Sequence, residues 1–114
     1  MMSDYTPDVW VMLKFDNSKT VVYKILAGWY GGYLNGDSWK LNSGVTHVEQ
    51  DGDWYKFHGY SGSVYECHKN NYKLSGMTSS ILNKFYDDIE KANLDIKLSV
   101  MDEDTTNFME LNYA

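Results

Sequence analysis

The run TSSILNKFYDDIEKANLDIKLSV, residues 78–100, holds two different periods and so decides the fold class. Ile81, Leu82, Phe85, Ile89 and Ala92 recur at the spacing of one stripe on an amphipathic helix. Thr78, Ser79 and Ser80 each offer a capping oxygen at its start. Leu94, Ile96, Leu98 and Val100 then alternate with Asp95, Lys97 and Ser99, the pattern of a strand with one wet face. Everything upstream reads as strand and turn. Strands first and one helix late give an α+β fold.

Working back from Thr78, a polar stretch over residues 68–76 separates the helix from short strands. Val9-Trp10-Val11-Met12-Leu13-Lys14-Phe15 places Val9, Val11, Leu13 and Phe15 on one strand face. Asp16-Asn17-Ser18-Lys19 has turn chemistry, and residues 20–29 return as a β-branched strand, so the two form a hairpin. Gly28, Gly31, Gly32 and Gly36 make residues 28–38 an irregular loop bearing Trp29, Tyr30 and Tyr33. Residues 39–41 and 45–49 flank Asn42-Ser43-Gly44, the signal of a second hairpin. Strands over 54–58 and 63–67 follow Gly-containing turns. These six strands, at a spacing of about 8–12 residues, predict an antiparallel β-meander, a curled sheet or small barrel. Beyond Val100, residues 108–111 are expected to add a short edge strand.

At 114 residues the chain has room for a single domain, 1–114. Hydrophobic residues at 43% and charged residues at 23% are the balance of a globule and argue against disorder. No apolar run approaches the ~20 residues of a membrane-spanning helix. The first residues lack a basic region followed by an apolar one, so no secretory signal is expected. One cysteine, Cys67, cannot make an internal disulfide, which points to a reducing, cytoplasmic setting. All ten basic residues are lysines, and without arginine's bidentate fork sequence-specific nucleic-acid recognition is not expected. Ten Tyr and four Trp exceed what a small core encloses, so some rings are expected to meet a ligand or partner.

Charge is segregated. Residues 1–86 set eight acids against eight lysines, whereas residues 87–114 set eight acids against two, so the net charge of −6 lies in the last quarter. Asp87, Asp88 and Glu90 fall late in the helix, where its dipole disfavours acids. That acidic face is a candidate surface for a basic host protein.

Two loops, Asn42-Ser43-Gly44-Val45 and Tyr60-Ser61-Gly62-Ser63-Val64, share a Ser-Gly core leading into a β-branched strand. Such turns satisfy tight geometry, and they can also aim successive backbone N–H groups at an anion. With Trp39 and Tyr60 as stacking platforms, Ser43, Ser61 and Ser63 as donors beside Gly44 and Gly62, and Lys40 and Lys69 as charge partners, they compose a candidate ligand site. His47, His58, His68 and Cys67 lack zinc spacing, and Cys67 and His68 alternate to opposite faces of a strand, so no metal is expected. No cofactor fingerprint or nucleophile motif is present, so no catalytic residue is assigned. An acid–base pair of His58 with Ser61 or Ser63, or of His47 with Glu49, stays open.

The segments Trp29-Tyr30-Gly31-Gly32-Tyr33-Leu34, Gly36-Asp37-Ser38-Trp39-Lys40-Leu41-Asn42-Ser43-Gly44 and Phe57-His58-Gly59-Tyr60-Ser61-Gly62-Ser63-Val64-Tyr65-Glu66-Cys67-His68-Lys69 resemble short uncharacterised accessory proteins of large tailed bacteriophages. The resemblance spans about residues 23–73 and brings no catalytic residues with it. It implies a protein made in the cytoplasm of an infected bacterium and directed at host machinery or immunity. Small phage proteins of this sort include inhibitors of host proteins and sponges for nucleotide immune signals. The leading expectation is therefore a non-enzymatic binding protein that counters a host factor by sequestering a small anionic, nucleotide-like ligand. The alternative is a protein–protein inhibitor working through the acidic face; a small hydrolase or nuclease is a third. A symmetric homodimer is also expected, built through the neutral first 86 residues, because the strands at 9–15 and 94–100 read as weakly protected sheet edges.

Overall fold

The computed structural model describes residues 3–32 and 36–113. Tyr33, Leu34 and Asn35, expected in the Gly-rich loop, lie outside the described residues. Among those described are β1 (Val9–Asp16), β2 (Val21–Trp29), β3 (Ser38–Leu41), β4 (Val45–Asp51), β5 (Trp54–Gly59), β6 (Val64–His68), helix α1 (Gly76–Lys91) and β7 (Lys97–Val100). The fold is α+β with antiparallel pairing throughout the strands. The strands divide into two open sheets, ordered β3-β2-β1-β7 and β4-β5-β6, and neither closes into a barrel.

Side-chain alternation along β1 and β2 explains the layering. Val11, Leu13 and Leu26 point to one face of the first sheet, where they pack with Leu82 of α1 and Leu98 of β7. Trp10, Met12, Tyr23, Ile25 and Ala27 point to the other, against Val45, Phe57, Tyr65 and Cys67 of the second sheet. The first sheet is thus the middle layer, buried on both sides, and this is why Val9–Leu13 is an unbroken apolar run. Each large side chain fully buried there contributes about 1.5–3 kcal/mol.

The β1–β2 hairpin pairs from Val9↔Gly28 to Asp16↔Val21. The second expected hairpin is absent. β3 pairs with β2, with Leu26 opposite Leu41, and β4 pairs with β5. Asn42-Ser43-Gly44 is instead the crossover between the sheets. Asn42 still bonds Ile25, its N–H donating to the carbonyl at 3.0 Å and its Oδ1 accepting the amide at 2.8 Å. Gly44 then turns the chain away at φ +124°, a conformation that side chains disfavour.

The helix starts earlier than Thr78. Ser75 is the N-cap and Thr78 completes a capping box, while Ser79 and Ser80 lie within the first turns. The Thr78 methyl rests over Gly28, where a Cβ would come within 2.8 Å of it, so a bare strand position seats the helix. Asn93 ends the helix at φ +52°. The strand at 94–100 is shortened to β7, because the register Asp16↔Lys97 would place Ile96 opposite Asn17 in the β1–β2 turn. β7 is an edge strand as expected, but β1 is not: β2 lies along one side, and on the other β7 pairs with Leu13–Asp16 while the Tyr72–Lys73 segment bonds at Trp10.

Residues 108–111 form no edge strand. Asp102 Oδ1 accepts the Asp104 amide at 3.0 Å and Asn107 Oδ1 the Met109 amide at 3.1 Å, folding the tail into turns. Its rings go inward. Phe108 packs against Trp10, Tyr55 and Tyr72, and Tyr113 packs edge-on to Tyr23, so the tail closes one end of the core between the sheets. No helix among the described residues is long and apolar enough to cross a membrane.

Candidate functional site

The two Ser-Gly turns meet. Ser61 donates its amide to Ser43 Oγ at 2.9 Å, and Tyr60 donates its amide to the Gly44 carbonyl at 3.0 Å. Gly62 N–H donates to the Gly59 carbonyl, and Gly59 N–H to the Ser63 carbonyl, both at 3.0 Å. The amides of residues 59–62 are therefore committed within the paired turns, and the Val64 amide donates to Asp4 Oδ2 at 2.8 Å, so these are not presented to an anion. What the pairing presents outward is the Tyr60 ring, 61% exposed yet seated against Gly44.

The remaining candidates lie elsewhere. Trp39 is on the helix-facing side of β3, its ring 6.0 Å from that of Phe85. Lys40 alternates to the other face, its Nζ 5.1 Å from the centroid of the Tyr5 ring. Lys69, in the 3-10 turn after β6, is 3.0 Å from Asp53. Ser43, Gly44, Tyr60, Ser61, Gly62 and Ser63 form one group; Trp39, Lys40 and Lys69 each have local partners apart from it.

Tyr60 forms one wall of a pocket of about 510 Å³, whose other walls are Lys19, Thr20, Val21 and Val22 of the β1–β2 turn and β2, and Asn112 and Tyr113 of the tail. The volume is in the range of small-molecule sites. Asn17 Oδ1 accepts from the amides of both Lys19 and Thr20, at 3.0 and 2.7 Å, which fixes the turn that carries the lysine. Burial raises the Tyr113 phenol, and its hydroxyl donates to the Phe108 carbonyl, so it enters the pocket wall neutral and held in place. A second pocket, about 240 Å³, is lined by Trp10, Tyr55, Lys69, Asn70, Glu103, Thr106 and Phe108. Lys69 and Glu103 bring opposite charges to it, and its aromatic rings are already packed on one another.

The histidines gather on the outer face of the second sheet. His47 and His58 are cross-strand partners whose rings stack 4.0 Å apart. His58 Nε2 lies 3.0 Å from Glu49 Oε2, and this hydrogen bond holds the Glu49 carboxyl below its usual value. The acid–base pair is thus His58 with Glu49, and neither of the pairings left open in the sequence forms. His68 Nδ1 accepts the Asn70 amide at 3.1 Å and caps the 3-10 turn. Cys67 is fully buried, and burial pushes its thiol pKa well up. Among the described residues no group of three or more His, Cys, Asp or Glu is placed to hold a metal ion.

Of the residues singled out in the sequence for a ligand site, Tyr60 lines this pocket; Lys19, Thr20, Val21, Val22, Asn112 and Tyr113, which also line it, were not among them. Their meeting depends on the tail folding back to the β1–β2 turn, which no local pattern announces. The chain matches no protein-family model, no curated protein and no solved structure.

Proposed function

We propose that the protein binds a small, ring-bearing anion of nucleotide type in the pocket walled by Tyr60 and Lys19, and that it acts by sequestration. The observation that carries this reading is the state of Tyr60. A large ring left 61% exposed is held by the backbone bonds between two turns and by the lack of space above Gly44. A platform ordered before binding loses little entropy when a ring stacks on it. Lys19 supplies the opposite charge, and Thr20 and Asn112 supply polar edges. Binding without turnover fits the lining, because the His58–Glu49 pair is not part of it. The phage-like segments add a setting, in which withdrawal of a nucleotide signal would blunt a host response.

Calorimetric titration with cyclic nucleotides and ADP-ribose-type nucleotides tests this, with inorganic phosphate as a control. Heat is expected with a nucleotide, and Tyr60→Ala should weaken binding roughly tenfold or more, the usual scale of one base–aromatic stack. Ligand released by heat denaturation should be chemically unchanged. No heat across the panel, or equal affinity in Tyr60→Ala, contradicts the proposal; altered ligand identifies an enzyme.

Exposed apolar groups beside the acidic segment favour a second reading, capture of a basic host protein. Tyr86, 42% exposed, directly precedes Asp87 and Asp88 in the helix, and Leu94, 49% exposed, follows the helix end. Those acids pair with Lys91 and Lys84 at 3.5 Å, and exposed pairs of this kind add little stability, so the acids are replaceable without loss of fold. The second reading requires Asp87→Lys with Asp88→Lys to abolish partner capture while Tyr60→Ala leaves it intact.

A further inference from the structure

The two sheets have four lateral edges, and three are short or covered. β3 and β7 are four residues each. The outer side of β6 is strapped by the N-terminal segment, with the amides of Asp4 and Tyr5 donating to the Val64 carbonyl and the Glu66 amide donating to the Tyr5 carbonyl at 2.8 Å. The fourth edge is β4, seven residues long and free of lysine and proline. A bulge between Val45 and His47 protects only its first part.

The ladder sets the direction of the β4 backbone groups that have no partner among the described residues. On the β6 side, bonds from Gly59 N to Ser63 O and from Lys69 N to Asp53 O show that odd-numbered residues near β5 face β6. The even-numbered residues of β5 therefore face β4, and their partners are His47, Glu49 and Asp51. Strand alternation then points the amide and carbonyl of Val48 and Gln50 away from β5, toward the open side.

We infer that this edge pairs with the same edge of a second copy, antiparallel about a two-fold axis at Val48, joining the two three-stranded sheets into one. The charge pattern selects that register. With Val48 opposite Val48, the pair exchanges both backbone bonds, and His47 falls opposite Glu49 of the second copy in the flanking non-bonded positions, where side chains approach most closely. Moving the axis to Glu49 would set Glu49 against its own copy, and moving it to Gln50 would set Glu49 against Asp51; both place like charges opposite each other. His47 Nδ1 contacts Thr46 Oγ1 at 3.1 Å, which leaves Nε2 for the carboxylate across the axis. The edge is thus complementary to itself and hostile to a shifted copy. It also lies within the charge-neutral first 86 residues, away from the acidic helix.

Light scattering over a concentration series tests the pairing. A single short ladder makes a weak interface, so the series must reach high concentration. The wild type is expected to rise from 13.2 kDa toward twice that mass. Val48→Pro removes the outward amide together with a side chain packed on the core, so its fold is checked by circular dichroism, and the folded variant should not show the rise. His47→Glu should also stay monomeric, by opposing Glu49 of the other copy, whereas His47→Lys should dimerise at least as well as the wild type. A wild type that stays at 13.2 kDa throughout, or folded Val48→Pro and His47→Glu proteins that dimerise like it, overturns the inference.

Discussion

Gly44 and Tyr60 are packed so closely that a Cβ on Gly44 would lie 2.8 Å from Tyr60 Cδ2 and 2.9 Å from Cε2. The same glycine sits at φ +124° and accepts the Tyr60 amide through its carbonyl. One position therefore turns the chain from the first sheet to the second and seats the ring that walls the larger pocket.

Gly44→Ala should be doubly unfavourable, through backbone strain and through collision with the ring. We expect a loss of about 2 kcal/mol in chemical denaturation, within the usual range for a strained non-glycine position. Ligand binding should weaken as well, because the ring can yield only by leaving its seat. Gly52→Ala is the control: it too has positive φ, but no atom lies within 4 Å of the added methyl. It should show a strain penalty alone.

Phe108→Ala should remove the plug between the sheets. Phe108 is buried against Trp10, Tyr55, Phe57 and Tyr72, and truncation of such a ring costs about 3–5 kcal/mol. A lowered denaturation midpoint, followed by tryptophan fluorescence, checks it. An unchanged midpoint would mean that the tail does not close the core.

Tyr72 ties the tail to β1. Its hydroxyl accepts the Met12 amide at 3.1 Å and donates to the Met101 carbonyl, so Tyr72→Phe leaves two backbone groups short of a partner. A loss of about 1–3 kcal/mol is expected from that orphaning.

Burial pushes the phenols of Tyr65 and Tyr72 up to about 12 from the ordinary 10.0, and raises that of Tyr113 as well. An acid with a raised folded-state pKa stabilises the fold in full below its unfolded value and loses that contribution as pH climbs toward the folded one. Stability should hold steady to about pH 9, begin to fall as the buried Cys67 thiol comes into play above its ordinary 9.0, and fall further between pH 10 and 12. Denaturation curves across that window, with tyrosinate absorbance recorded in parallel, check the sign. Tyr72→Phe should soften the fall.

Local pattern carried much of the fold. The helix stripe through Ile81, Leu82, Phe85 and Ile89, the β1–β2 hairpin and most strand positions follow from periodicity and turn chemistry, which act over a few residues. What periodicity does not carry is which strand pairs with which. A Ser-Gly turn between two strands reads as a hairpin, and nothing within residues 39–49 says that Leu41 will find Leu26 while Val48 finds Phe57. The tail departs from its local reading for a related reason: residues 108–111 fit an edge strand locally, whereas Phe108, together with Tyr113, fits the open end of the core better. At the site, Tyr60 was legible because an aromatic in a Gly-Ser turn has little core to enter. Lys19, Thr20 and Asn112 join it only through the tertiary fold.

Ligand class and binding place are read together by amide chemical-shift mapping in NMR during titration with a cyclic dinucleotide and with ADP-ribose. Shifts concentrated at Lys19, Thr20, Val21, Tyr60 and Asn112, saturating with ligand, are the predicted result. Shifts along α1 or around Trp39 and Phe85, or none with either ligand at saturating concentration, would contradict it.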